Sequence, residues 1–154
     1  YIAACIESIK PVAKRIVVVD SFSDDKTVSI AQEAGAEVHQ HEFYNYAKQY
    51  MYAVEIADVK TTWILRIDAD ERLTKESAAE LEKLCNENEN TDVSGIVLRF
   101  YNMFLGKPMM HGGMYPWKKL SVYKAGIGNI EDRNMDEHII LKSGTKHFDV
   151  SFTS

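Results

Sequence analysis

Apolar residues in the first half of the chain follow two alternating patterns. Ile2, Ile6 and Ile9 recur at helical spacing, whereas Ile16 to Val19 form a continuous β-branched run, which is typical of a strand covered on both faces. Helical and strand-like stretches continue to alternate beyond this run. The predicted elements are helix 1–10, strand 15–20, helix 27–34, strand 36–40, helix 46–57, strand 62–67 and helix 75–86.

Three residues mark the boundaries of these predicted helices. Asn45 and Thr74 can cap the helices that follow them, because their side-chain oxygens accept from free backbone N–H groups. Gly35 can end the helix before it by adopting a left-handed conformation. Alternating helices and strands with such short links predict an α/β fold with a parallel sheet and right-handed crossovers.

The second half of the chain has a different pattern, with strands separated by longer loops. Strands are predicted over residues 95–105, 120–123 and 139–141, and residues 106–116 form a loop rich in Gly and Met. No internal repeat, low-complexity tract or linker interrupts the chain. We therefore predict one domain over residues 1–154.

Composition narrows the class of protein. The chain has 154 residues, a formal net charge of −5 and two cysteines. An acidic balance argues against a general nucleic-acid binder, which needs a basic surface, so we predict no nucleic-acid partner. Two cysteines in a chain of this size exclude a disulfide scaffold. No apolar stretch approaches the ~20 residues that a membrane-spanning helix needs.

Two acidic loops follow predicted strands, where open α/β sheets bind ligands. Asp68, Asp70 and Glu71 place three carboxylates within four residues, which is unfavourable unless a cation or hydrogen-bond donors offset the charge. Mg²⁺ commonly binds one or two carboxylates together with substrate phosphates, so this loop is a candidate metal site. The alternative is a solvated acidic turn. For Asp20, the alternatives are contact with a nucleobase and an ordinary turn that starts its loop.

A third acidic region precedes the strand predicted at 139–141. Asp136 or Glu137 could serve as a general base if the region faces the metal site. His138 could instead be a metal ligand or a hydrogen-bonding partner. Spacing alone favours the alternative, a charged turn before a strand.

The two loops together resemble a known family. Asp20-Ser-Phe-Ser-Asp-Asp-Lys-Thr27 and Trp63-Ile-Leu-Arg-Ile-Asp-Ala-Asp-Glu71 are similar to the family 2 glycosyltransferases, particularly the bacterial lipopolysaccharide-core and capsular or exopolysaccharide sugar transferases. The resemblance implies a GT-A, Rossmann-type three-layer α/β/α sandwich with a mostly parallel central sheet. It also implies a domain truncated at both ends that lacks the family's first strand. Residues 1–94 would bind the nucleotide sugar and residues 95–154 would form the acceptor side.

The resemblance also implies the chemistry. The donor would be a nucleotide sugar, most often a UDP-sugar, and the acceptor a saccharide or lipid-linked saccharide. Asp68 and Asp70 would hold Mg²⁺ or Mn²⁺ on the diphosphate, and Asp136 or Glu137 would deprotonate the acceptor hydroxyl, giving transfer with inversion. The implied nucleotide-sugar-binding residues are Asp20, Ser21, Ser23, Lys48, Asp68 and Ala69.

One departure from the family leaves other activities open. The family often has Gln-Arg-Asn or Gln-Lys-Asn where this chain has Gln49-Tyr50-Met51, so Lys48 would have to supply the missing cation. An inactive nucleotide-sugar-binding domain and a nucleotidyltransferase with a similar sheet are the alternatives. The resemblance further implies a cytoplasmic protein, working in the cytoplasm or at the inner face of the bacterial membrane. Any peripheral membrane association would come from sequence outside this chain.

Overall fold

The structure, a computed structural model, describes residues 1–104, 107–109, 117–130, 139–141 and 146–151. The helices are α1 (Ile2–Ile9), α2 (Thr27–Glu33), α3 (Tyr46–Ala57) and α4 (Lys75–Glu87). The strands are β1 (Val17–Asp20), β2 (Glu37–Gln40), β3 (Trp63–Leu65), β4 (Val93–Phe100), β5 (Met103–Phe104), β6 (Lys107–Pro108), β7 (Trp117–Lys124), β8 (Gly128–Ile130), β9 (Ile139–Leu141) and β10 (Lys146–Ser151).

The predicted elements of the first half are confirmed, with ends that differ by a few residues. The Asn45 side chain accepts from the backbone N–H of Lys48 at 2.8 Å, and the Thr74 hydroxyl accepts from that of Ser77 at 3.1 Å. Gly35 has a positive φ of 88°, the left-handed conformation expected after a helix. Local caps therefore fix the starts of α3 and α4 and the end of α2.

The second half departs further from the sequence prediction. β4 begins two residues before the predicted strand and ends at Phe100, while β7 extends beyond 120–123 at both ends. β9 matches its prediction. β10 was not predicted, because its sequence offers only Phe148 and Val150 as alternating apolar positions.

The sheet arrangement corrects the expectation of a mostly parallel central sheet. β1 and β2 do pair in parallel, but as a separate two-stranded sheet. The largest sheet has the order β10-β4-β7-β3, in which β7 runs antiparallel to both neighbours and only β10 and β4 are parallel. β3 and β4 still share one direction, but β7 is inserted between them.

Helices cover both faces of β3. Leu65 and Ile67 pack with the core cluster that contains Leu81 of α4 and the fully buried Leu98 of β4. Successive side chains point to opposite faces of a strand, so Arg66 lies on the face opposite to Leu65 and Ile67. Its guanidinium lies over the ring of Tyr50 in α3. Described helices therefore lie on both faces of the sheet around β3.

A cavity of about 1450 Å³ separates β1 from β3, and both strands line it. Among the described strands, β1 pairs only with β2 and β3 pairs only with β7. Val17, Val18 and Val19 are consequently half-buried rather than covered on both faces. No described strand fills the space between them.

Candidate functional site

The acidic loop after β3 is closed by its own hydrogen bonds. The backbone N–H of Glu71 donates to the carbonyl of Asp68 at 2.9 Å, and the N–H of Asp68 donates back to Glu71 Oε2 at 2.9 Å. Asp68 and Asp70 remain exposed, whereas the Glu71 side chain is only 16% exposed. Glu71 therefore shapes the loop, and the two aspartates are left facing outward.

Helix α1 supports this loop at both ends. The Cys5 thiol donates to the carbonyl of Asp68 at 3.5 Å, and the backbone N–H of Leu73 donates to Ser8 Oγ at 3.0 Å. Burial and the negative charges of the loop raise the pKa of Cys5 to about 11, so the thiol stays protonated at neutral pH. Helix α1 thus supplies an uncharged hydrogen-bond donor to one end of the acidic loop and a hydrogen-bond acceptor to the other.

Lys119 is a site residue that the sequence did not identify. Its ammonium lies 2.7 Å from Asp68 Oδ2 and 3.0 Å from Glu71 Oε1. The antiparallel register explains this contact: Leu65 of β3 pairs with Val122 of β7, and the N–H of Arg66 donates to the carbonyl of Ser121, so counting onward places Asp68 opposite Lys119. A lysine in an alternating strand gave no indication of this partner.

Burial and Lys119 act on Glu71 in opposite directions. Burial raises the pKa of the Glu71 carboxyl, the Lys119 ammonium lowers it and the Asp68 charge raises it again, and the net result lies above its ordinary value. The lysine is therefore the main group that favours the charged form of this half-hidden carboxylate.

The loop offers suitable ligands for a divalent metal but does not enclose one. Within the described ranges, no group of three His, Cys, Asp or Glu residues is arranged to hold a metal ion. Asp68 and Asp70 nevertheless present exposed carboxylate oxygens, which hard cations prefer. Because Mg²⁺ often completes its shell with substrate phosphates and water, two carboxylates at the mouth of a cavity fit such an ion.

The Asp20 carboxylate is largely engaged by its own loop. It accepts from the backbone N–H of Ser23 at 3.0 Å, from the Ser23 hydroxyl and from Gln40 Nε2 at 3.3 Å. Phe22 turns the loop through a left-handed φ of 59°. Burial alone would raise the pKa of Asp20, but these hydrogen bonds outweigh it and hold the pKa below its ordinary value. The predicted loop-starting turn is therefore present.

A second network joins the Asp20 loop to α3. Gln49 Nε2 donates to Ser21 Oγ at 3.0 Å, and Gln49 Oε1 lies 2.9 Å from His41 Nδ1. Since an amide oxygen only accepts, His41 donates from Nδ1. Gln49 is the first residue of the Gln49-Tyr50-Met51 stretch, and His41 directly follows strand β2.

Arg66, rather than Lys48, brings a cation to the cavity. Lys48 lies over the ring of Tyr44, 5.5 Å from its centroid, in a separate surface depression. Arg66 lines the main cavity, and its guanidinium carbon lies 5.2 Å from the centroid of the Tyr50 ring. An arginine inside an otherwise apolar strand was the sequence signal that could have identified it.

The structure brings only part of the predicted site together. Asp68, Ala69 and Asp70 line the cavity between β1 and β3, whereas Asp20, Ser21, Ser23 and Lys48 do not line it. Asp136, Glu137 and His138 lie outside the described residues.

No helix in the described part of the chain is long and apolar enough to cross a membrane.

Comparison with curated proteins finds uncharacterized glycosyltransferases of Rickettsia. One from Rickettsia bellii is 46% identical over 81 residues, covering 53% of this chain and 27% of its own length. One from Rickettsia prowazekii is 28% identical over 155 residues, covering 99% of this chain and 51% of its own length.

A third relative carries a more specific name. The lipopolysaccharide core biosynthesis glycosyltransferase LpsC of Rhizobium meliloti is 39% identical over 80 residues, covering 49% of this chain and 28% of its own length. The chain thus spans about half, or about a quarter, of the length of the relatives it matches. The family model described as glycosyl transferase family 2 matches residues 1–142. Since that match covers most of the sequence, the chain belongs to glycosyl transferase family 2.

Proposed function

We propose that this domain transfers a sugar from a nucleotide sugar, a UDP-sugar, to an acceptor hydroxyl with inversion at the anomeric carbon. The observation that carries the proposal is the Asp68-Ala-Asp70 loop, which opens on a cavity large enough for a nucleotide and also lined by Arg66. The loop stands after strand β3, where α/β sheets bind their ligands.

Each group in the site has a definite task in this reaction. Asp68 and Asp70 would hold Mg²⁺ or Mn²⁺ against the donor diphosphate, and the ion would act as a Lewis acid for the leaving group. Asp136 or Glu137 would take the proton of the acceptor hydroxyl. The acceptor oxygen then bonds to the anomeric carbon while the bond from that carbon to the diphosphate breaks, and UDP leaves with the electron pair.

The nucleoside end of the donor would lie toward the Asp20 loop. Asp20 would contact the nucleobase from this loop, in which its carboxylate also accepts from Ser23 and Gln40. Ser21 and Ser23 lie exposed on the same loop, and Ala69 offers its backbone beside the metal ligands. Lys48 remains a proposed contact of the donor, although Arg66 lines the cavity and Lys48 does not.

The acceptor is proposed to be a saccharide or lipid-linked saccharide of bacterial cell-surface polysaccharide or lipopolysaccharide synthesis. The name of the Rhizobium relative supports this class. Such an acceptor would place the enzyme in the cytoplasm or at the inner face of the membrane.

A domain that binds nucleotide sugars without transferring them is the second candidate. Tyr50 favours it, because a tyrosine stands where the family often has a cation and its hydroxyl contacts that of Tyr123 instead of pointing to a phosphate. Binding alone cannot separate the two candidates, but loss of turnover on changing the base can. Asp136→Asn and Glu137→Gln should both keep UDP binding, and one of them should abolish sugar transfer.

Calorimetric titration of UDP, with and without Mn²⁺, tests the metal assignment. Binding should strengthen with Mn²⁺, and Asp70→Ala should remove that dependence. Glu80→Ala is the matched control, since Glu80 is an exposed acid on α4 outside the cavity lining. UDP binding that ignores both Mn²⁺ and Asp70→Ala would contradict the metal assignment.

A further inference from the structure

Lys119 is held in place more firmly than a surface lysine. Its side chain is only 15% exposed, and its ammonium lies 5.7 Å from the centroid of the Phe100 ring as well as against Asp68 and Glu71. The residue belongs to β7, whose backbone pairs with β3 on one side and β4 on the other. The strand register therefore fixes the position of this ammonium beside the acidic loop.

The two carboxylates that share the ammonium differ in their surroundings. The Asp68 side chain is 51% exposed and that of Glu71 is 16% exposed. Glu71 offers both oxygens to the ammonium, at 3.0 and 3.1 Å, while Asp68 offers one at 2.7 Å. Lys119 can thus keep a complete partner in Glu71 after it leaves Asp68.

We propose that Lys119 is a positioning residue that serves as the resting counter-cation of Asp68 and gives up that carboxylate when a divalent metal binds. The inference rests on the proposed metal site. A divalent ion on Asp68 would meet the positive charge of Lys119 at close range, and like charges repel. Lys119 therefore lowers the affinity for free metal, while its contacts with Asp68 and Glu71 offset the negative charge of the acidic loop.

Removing the charge of Lys119 should strengthen metal binding, whereas removing a residue that only shapes the ligands should weaken it. If Lys119 competes with the metal, removing its charge strengthens metal binding by about tenfold, since one unit charge near a divalent ion is removed. If Lys119 only orients Asp68, removing it disorders the ligand and weakens binding. Metal affinity in the absence of nucleotide separates the two roles.

The experiment measures Mn²⁺ binding to the complete chain without nucleotide, at constant ionic strength, from the electron paramagnetic resonance signal of free Mn²⁺. Lys119→Gln should bind Mn²⁺ about tenfold more tightly than the wild type. Lys124→Gln is the matched control, because it removes the same charge from the far end of β7 and should change the affinity less than about twofold. Lys119→Arg, which keeps the charge, should restore the wild-type affinity.

Each other outcome has a distinct meaning. Unchanged or weaker Mn²⁺ binding by Lys119→Gln overturns the inference while leaving the metal site in place. Mn²⁺ binding by neither protein overturns the metal site and the inference together.

Should Lys119→Gln fail to fold, amine acetylation of the wild type followed by mass spectrometry provides a second test. Mn²⁺ should speed acetylation of Lys119 at least about twofold, because the amine loses one carboxylate partner, and leave Lys124 unchanged. Slower or unchanged labelling of Lys119 contradicts the inference.

Discussion

The guanidinium of Arg66 lies over the ring of Tyr50, 5.2 Å from its centroid, so that β3 and α3 meet through a cation and an aromatic face. Burial and the neighbouring Tyr123 raise the pKa of the Tyr50 phenol, which keeps the ring neutral. Tyr50 supplies no cation to the cavity itself. Its ring instead holds Arg66, which lines the cavity.

Arg66→Met should weaken UDP binding by about tenfold, or about 1.4 kcal/mol, because it removes a cation that lines the cavity but keeps an apolar side chain against Tyr50. Lys48→Met makes the same charge change in the separate depression and should alter the affinity less than about twofold. Calorimetry at fixed Mn²⁺ measures both. The reverse ranking would mean that Lys48 is the donor-binding cation.

Asp20→Asn should lower stability at neutral pH but not in acid. The folded-state pKa of Asp20 lies below the ordinary value of 3.8, so its carboxylate stabilises the fold above that value, and this contribution is lost as the pH falls through the folded-state pKa. Replacing an acceptor in this buried site should cost about 1–3 kcal/mol at pH 7.

Thermal unfolding between pH 2.5 and 7 measures this effect. The melting temperatures of the wild type and Asp20→Asn should converge as the pH falls. Parallel pH profiles would show that the hydrogen bonds from Ser23 and Gln40 do not favour the charged form.

Ser8→Ala should destabilise the attachment of α1 to the acidic loop. Ser8 Oγ accepts from the N–H of Leu73, a residue only 5% exposed, and an unsatisfied buried N–H costs about 1–3 kcal/mol. Ser29→Ala is the control, since the Ser29 hydroxyl donates to a backbone carbonyl of an exposed helix and its loss should cost less than about 0.5 kcal/mol. Urea unfolding compares them, and equal losses would show that the bond to Leu73 is dispensable.

The acidic loop could be located from the sequence because its determinants are local. The predicted strand 62–67 is a mostly apolar run that is followed directly by the first carboxylate, Asp68, and Thr74 caps the next helix. Hydrophobic periodicity and helix capping depend on residues that are close in the sequence, so both can be predicted from the sequence alone. The same holds for α1, whose isoleucines define its buried face.

The partners of that loop could not be predicted, because they depend on long-range register. Lys119 lies 51 residues along the chain from Asp68, and only the insertion of β7 between β3 and β4 makes them neighbours. No local pattern specifies which strand enters a sheet at which position. Arg66 and Tyr50 likewise meet only because α3 covers the face of β3 opposite to α4.

The separation of β1 from β3 has a consequence for the energetics of the whole site. The Asp20 loop belongs to one sheet and the Asp68 loop to another, and no described strand joins the two by backbone hydrogen bonds. Ile16 packs against the core cluster that contains Leu98 and against a second buried cluster, so side-chain contacts connect the two sheets. The second cluster consists of Ile6, Ala31 and Ala36. Among the described residues, a nucleotide sugar reaching from the Asp20 loop to the Asp68 loop would therefore contact two sheets that side chains, not backbone hydrogen bonds, hold together.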